Sequence, residues 1–133
     1  MVNEMINGSC LCGSVKYAIL GKVGDIIHCH CKTCRKAHGS AFSSVASVQD
    51  RDFQLLSKRT LRSFESSAGK HRYFCSNCGT QIHAKREGTS HVILRLGSLD
   101  SEFNSSEKEH IWVSEKAGWY CINSQLPERD KFE

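Results

Sequence analysis

The chain has 133 residues, 39% of them hydrophobic, and a formal net charge of +4. That length fits one domain with a buried core, and no apolar run approaches the roughly 20 residues of a membrane-spanning helix. Met1-Val2-Asn3-Glu4-Met5 lacks a basic region followed by an apolar core, so the sequence predicts no signal peptide and a cytoplasmic protein with reduced thiols.

Short β-type segments follow one another. Residues 14–20 alternate and carry Val15, Tyr17 and Ile19. Residues 41–48, 53–56 and 60–64 continue the pattern between charged turns, residues 71–75, 80–85 and 91–96 complete a central set, and residues 109–113 read as a late strand. One short helix is expected at residues 32–38, stopped by Gly39, and a second helix or a loop at residues 102–108. Many short strands without a long helix predict a mainly β fold of small antiparallel sheets, to which a bound metal would add stability. Residues 1–122 are expected to form the single domain and the polar residues 123–133 a fraying tail. The basic stretch 58–72, diluted by Glu65, reads as a solvated strand face. Trp112, Trp119 and Tyr120 read as core.

Seven of the eight cysteines fall into three clusters: Cys10 and Cys12; Cys29, Cys31 and Cys34; Cys75 and Cys78. Reduced thiols so closely spaced point to a metal that accepts several sulfur ligands, zinc by default. Cys12 is followed by Gly13 and Cys78 by Gly79. A glycine there lets the chain turn with positive φ while amides point at sulfur, as in a zinc knuckle. Pairing these half-sites gives a closed, structural four-cysteine site. Cys29, Cys31 and Cys34 supply three ligands near the start of the short helix, leaving a position open as in catalytic zinc sites. His28, His30, His38 and Cys121 are the candidates to close it, although Cys121 reads first as a small buried hydrophobe. His71, His83, His91 and His110 read mostly as structural or exposed. A disulfide scaffold, a thioredoxin-type motif and two purely structural zincs are the competing readings. With seven thiolates and two zinc ions the net charge falls to about +1, which weakens any electrostatic case for nucleic acid.

The run Gly8-Ser9-Cys10-Leu11-Cys12-Gly13-Ser14-Val15 resembles the opening of glutathione-dependent formaldehyde-activating enzymes and centromere protein V. The resemblance continues through Cys29-His30-Cys31-Lys32-Thr33-Cys34-Arg35-Lys36, Gly39-Ser40-Ala41-Phe42, Phe74-Cys75-Ser76-Asn77-Cys78-Gly79-Thr80 and Gly97-Ser98-Leu99-Asp100. It ends near His110-Ile111-Trp112 and Lys116-Ala117-Gly118-Trp119, so it covers roughly residues 7–120. Glu109 stands where many relatives carry proline. The resemblance implies a β-tent fold, a structural zinc on Cys10, Cys12, Cys75 and Cys78, and a catalytic zinc on Cys29, Cys31 and Cys34. It also implies a carbon–sulfur lyase-type reaction, the addition of glutathione to formaldehyde or its reversal.

Three thiolates leave zinc with a formal charge of −1, so such a site suits a soft thiolate or a small carbonyl better than hydrolysis. His30 and His38 are the nearest candidate bases in sequence, and Arg35, Lys36 and Arg72 the candidate partners for glutathione's carboxylates. The same zinc chemistry on another carbonyl, imine or thiol adduct, or a non-catalytic zinc-structured binding module, are the alternatives. The small-molecule substrate is thus the expected partner, with no membrane and no nucleic acid.

Overall fold

A computed structural model describes residues 5–132; four of the residues on which the signal-peptide reading rests, 1–4, lie outside the described part. The strands are β1 (Ile6–Ser9), β2 (Lys16–Ile19), β3 (Ile26–Cys29), β4 (Ser43–Gln49), β5 (Phe53–Ser57), β6 (Leu61–Ser67), β7 (Lys70–Cys75), β8 (Gln81–Arg86), β9 (His91–Arg95) and β10 (Glu107–Ile111). The one α-helix among them is α1 (Lys32–His38). The fold is the mainly β one expected. One sheet has three strands in the order β1-β2-β5, the other seven in the order β10-β3-β4-β9-β8-β7-β6. All pairings are antiparallel except β10 with β3, which run parallel. No helix among the described residues is long and apolar enough to cross a membrane.

The core lies between the two sheets. Val15, Tyr17 and Ile19 are fully buried, as their alternation predicts, and meet Val48, Ile82, Val92 and Leu94 from the larger sheet. Tyr17 carries its hydroxyl inward to Ser98 Oγ at 2.7 Å, which satisfies the phenol and ties the small sheet to the turn after β9. β1 escapes the sequence pattern because Asn7-Gly8 looks like a turn. Gly8 is there for space: a Cβ would sit 2.1 Å from Tyr17 Cζ. β3 was obscured by its histidine and cysteine.

Residues opposed across an antiparallel pair share a face, as do alternate residues along a strand. The registers Cys29↔Ser43, Val45↔Arg95, Ala84↔Ile93 and Arg72↔Ala84 therefore put Cys29, Arg95 and Arg72 on one face of the large sheet. Lys70 and Arg86, paired at the end of β7 and β8, join them. Helix α1 packs on β4. The opposite face carries Ala46, Val48 and Leu94 into the core.

The expected tail runs alongside β10 over residues 127–131. Pro127 and Arg129 exchange backbone hydrogen bonds with His110, and Lys131 accepts from Trp112 N. Glu109 is buried and accepts from Arg129 Nε at 2.7 Å, so this acid anchors the tail beside β10. Residues 102–108 form a loop running into β10 rather than a helix. Trp119 is 73% exposed rather than core.

Candidate functional site

The four-cysteine cluster joins the β1–β2 connection to the β7–β8 turn. The sulfurs of Cys10, Cys12, Cys75 and Cys78 all lie within 4.8 Å of one another. Cys12 Sγ stands 3.6 Å from Cys10 Sγ and 3.8 Å from Cys75 Sγ. Four sulfurs at about 2.3 Å from one ion would be about 3.8 Å apart, so the donor set fits tetrahedral zinc. Gly13 and Gly79 have φ of 81° and 82°, the conformation expected after each second cysteine, and their amides close turns onto the Cys10 and Cys75 carbonyls. Polar groups surround the sulfurs: Val15 N and Asn77 Nδ2 each donate at 3.2 Å, to Cys10 and Cys12, and Thr60 and Thr80 hydroxyls lie 3.2 Å from Cys75 and Cys78. Hydrogen bonding from Thr80 lowers the Cys78 thiol to about 5, and from Ser14 and Asn77 the Cys12 thiol to about 7. Metal binding needs such thiolates.

The second cluster is built on the turn from β3 into α1. The sulfurs of Cys29, Cys31 and Cys34 lie mutually within 4.8 Å, and no fourth His, Cys, Asp or Glu ligand atom among the described residues completes that set. Cys31 is the N-cap of α1, its sulfur accepting from Cys34 N at 3.2 Å. Gly39, at φ 60°, ends the helix where expected. Cys29 and Cys34 are buried, and Cys31 is half-buried. Hydrogen bonds from Cys29 and Cys31 draw the Cys34 thiol far below its ordinary range, while the same closeness to Cys31 and Cys34 pushes Cys29 up. A thiolate already favoured at one sulfur suits a metal, and an all-sulfur donor set suits zinc.

Cys31 opens into a cleft of about 650 Å³ on the same face as the arginines. Lys70, Arg72 and Arg86 line it together with Thr33, Ser66, His91, Ile93 and Trp112. Trp112 holds φ at 57°, the one non-glycine residue with positive φ among those described, and packs against the cysteine trio. Backbone strain of this kind persists where surrounding structure fixes it, often beside sites.

Several candidates lie elsewhere. His28 and His30 alternate with Cys29 and face away from it. His28 bridges Ser44 and Glu107, both at 2.9 Å, and His30 is fully buried with Nε2 2.7 Å from His110 Nδ1. Burial and His110 lower the His30 ring to about 4. His38 lines a separate, smaller cavity with Ser43 and Arg95. Cys121 is exposed, not buried, with its sulfur toward Asn123. Of the expected carboxylate partners, Arg72 lines the cleft, while Lys36 lines an adjoining hollow. Arg72 is also the exception in the basic stretch, being buried rather than solvated. Lys70, Arg86, Arg95, His91 and Trp112 were missed. A cationic Arg95 ending the apolar run Val92-Ile93-Leu94 was the available signal, since a charge there has to meet a partner.

A family model described as glutathione-dependent formaldehyde-activating enzyme matches residues 5–115. The chain belongs to this family. Proteins of Aspergillus flavus and Aspergillus oryzae, each named "Putative glutathione-dependent formaldehyde-activating enzyme", are 29% identical over 113 residues, covering 83% of this chain and 53% of theirs. An uncharacterized lyase of Schizosaccharomyces pombe is 29% identical over 76 residues, 57% of this chain and 54% of its own. The chain thus spans about half the length of these curated relatives. A crystal structure of a Rhodobacter sphaeroides protein shares the fold, with TM-score 0.60 over 73% of this chain and 90% of that one at 20% identity.

Proposed function

We propose that this family member is a zinc-dependent enzyme of the carbon–sulfur lyase type, acting on the adduct of a thiol and a small carbonyl compound. S-hydroxymethylglutathione, formed from glutathione and formaldehyde, is the substrate proposed first. One observation carries the reading: Cys31, one of three clustered cysteines, borders a cleft lined by Lys70, Arg72 and Arg86. Sulfur ligands meet cations there, and the substrate is a thiol bearing carboxylates. Cys10, Cys12, Cys75 and Cys78 are assigned to a structural zinc, and Cys29, Cys31 and Cys34 to a catalytic one.

When bound to three thiolates, zinc supplies a soft Lewis-acid position suited to sulfur and poorly suited to activating water. The chain's own residues do the rest. Lys70 and Arg86 bind the substrate carboxylates through charge-assisted hydrogen bonds and turn the sulfur toward Cys31. Trp112 and Ile93 form the apolar wall that excludes water. On addition, a sulfur–carbon bond forms and the thiol proton passes to the carbonyl oxygen; lysis is the reverse. His91 is the imidazole on the cleft wall and is assigned the transfer of that proton, in place of His30 and His38.

Magnetisation-transfer NMR between glutathione, formaldehyde and their adduct tests the proposal. The protein should accelerate exchange, and the folded Cys31→Ser variant should not. A metal-loaded protein that leaves the exchange rate unchanged would move the reading to another thiol or imine adduct, or to a binding role.

A further inference from the structure

Two arginines on the face of Cys29 have no acidic partner. Arg95 is 4% exposed, and its Nε and Nη2 are buried without a hydrogen bond. Arg72 is 5% exposed; its Nε donates to Ser66 Oγ at 2.9 Å and its Nη1 reaches toward Cys34 Sγ at 3.8 Å. Among the described residues, no carboxylate forms an ion pair with either guanidinium. The cysteine trio supplies the anionic groups near Arg95, and Arg72, Lys70 and the imidazoles of His38 and His83 are the other titratable groups beside it. Glu115, the acid on the cleft wall, accepts instead from Lys32 N at 2.8 Å. Two like charges taken out of water are destabilising unless a counter-charge lies close by. The sulfurs are the anions available to offset that cost.

We propose that Arg72 and Arg95 are the counter-ions of the Cys29–Cys31–Cys34 metal site and fix its open position for an anionic, thiolate ligand. This rests on the trio holding zinc, as in the function proposed above. A zinc dication with three thiolates carries one negative charge, and the two guanidiniums bring two positive charges. One positive charge is left over, and Lys70 adds to it. A neutral fourth ligand leaves that excess in place, whereas a thiolate lowers it by one charge. The proton that leaves the entering thiol is the one assigned to His91 in the reaction above; for a thiol bound without a carbonyl partner it goes to buffer, and no oxidant or reductant takes part. Arg72 and Arg95 act through the sulfurs and are positioning residues, distinct from Lys70 and Arg86, which face the rest of the substrate.

The test uses the full chain loaded with Co²⁺. 2-Mercaptoethanol, a thiol without a carboxylate, reports on the open position independently of Lys70 and Arg86; imidazole is the neutral comparison. In the unaltered protein, mercaptoethanol should add a sulfur-to-cobalt charge-transfer band and release a proton. Arg95→Met and Arg72→Met should each weaken that binding about tenfold or more while imidazole binding holds. Competition with a chelator should show the trio's metal affinity falling about 10–100-fold, with the four-cysteine site unchanged. Arg95→Lys should stay close to the unaltered protein. Metal retention at the four-cysteine site shows that each variant is folded. Unchanged thiol and metal affinity in Arg95→Met would overturn the proposal, and so would equal losses of mercaptoethanol and imidazole, which denote packing alone. Missing formaldehyde exchange with these shifts intact would remove the proposed reaction and leave the arginine pair standing.

Discussion

Replacing Cys75 by serine should destabilise the protein far more than replacing Cys31 by serine. Cys12 and Cys75 are 63 residues apart in sequence. A metal that clamps them closes a loop of that size, which by loop-closure entropy amounts to about 4 kcal/mol. Cys29 and Cys34 stand five positions apart, so the trio closes loops worth about 2 kcal/mol at most on the same scale. Cys75 is also fully buried, with the Thr60 hydroxyl 3.2 Å from its sulfur. Serine at position 31 can keep the N-cap that Cys31 provides to Cys34 N, because a hydroxyl is a preferred cap. At about 3–4 °C per kcal/mol for a chain of this size, Cys75→Ser should melt roughly 12–16 °C lower and Cys31→Ser less than about 8 °C lower. Thermal unfolding by circular dichroism, with metal counted per chain, measures both. Equal losses would make the trio a structural clamp and refute the division between the two sites; a Cys75→Ser variant as stable as the unaltered protein would refute the staple.

Arg86→Ala should raise KM for a thiol adduct bearing carboxylates about tenfold and leave kcat nearly unchanged, while a neutral thiol adduct is turned over as before; steady-state kinetics on the two substrates separates these effects. Gly8→Ala should cost about 1–3 kcal/mol, because its Cβ would fall 2.1 Å from the buried Tyr17 ring, and urea unfolding should show the loss as a lower midpoint with an unchanged slope. His83, stacked on Tyr73 with centroids 4.4 Å apart, is lowered to about 4 by burial and then by Arg95. An unfolded histidine titrates near 6.5 and takes up its proton first, so stability falls as pH drops from about 6.5 to about 4, by on the order of 3 kcal/mol. His83→Gln should lessen that slope, leaving the part due to His30 and His38, whose rings burial also lowers to about 4, and an unchanged slope would mean that the His83 ring is protonated in the folded state.

The cysteine spacing made the two clusters that could hold a metal legible. Gly13 and Gly79 marked the two knuckle turns through a backbone requirement that survives in one dimension. The helix from Lys32 to His38 was bounded by a cap and a stop, both local signals. The cleft was not legible, because it depends on register. Its cations Lys70, Arg72 and Arg86 come from two neighbouring strands, and only the pairings Arg72↔Ala84, Ala84↔Ile93, Val45↔Arg95 and Cys29↔Ser43 bring them, with Arg95 beside them, to the face that Cys29 shares. His30 shows the converse error. Its place between two cysteines suggested a base, yet strand alternation turns it to the other face, against His110. The tail looked polar and unattached because the Glu109–Arg129 pair and the bonds to His110 join positions about 20 residues apart.

The most direct measurement is native mass spectrometry of the purified protein with and without glutathione, on the unaltered chain and on Cys31→Ser. The proposed division between the two sites requires two zinc ions per chain and a non-covalent glutathione complex that disappears in Cys31→Ser while the four-cysteine zinc remains. A glutathione complex that persists in Cys31→Ser, or a trio that takes up no zinc, would contradict it.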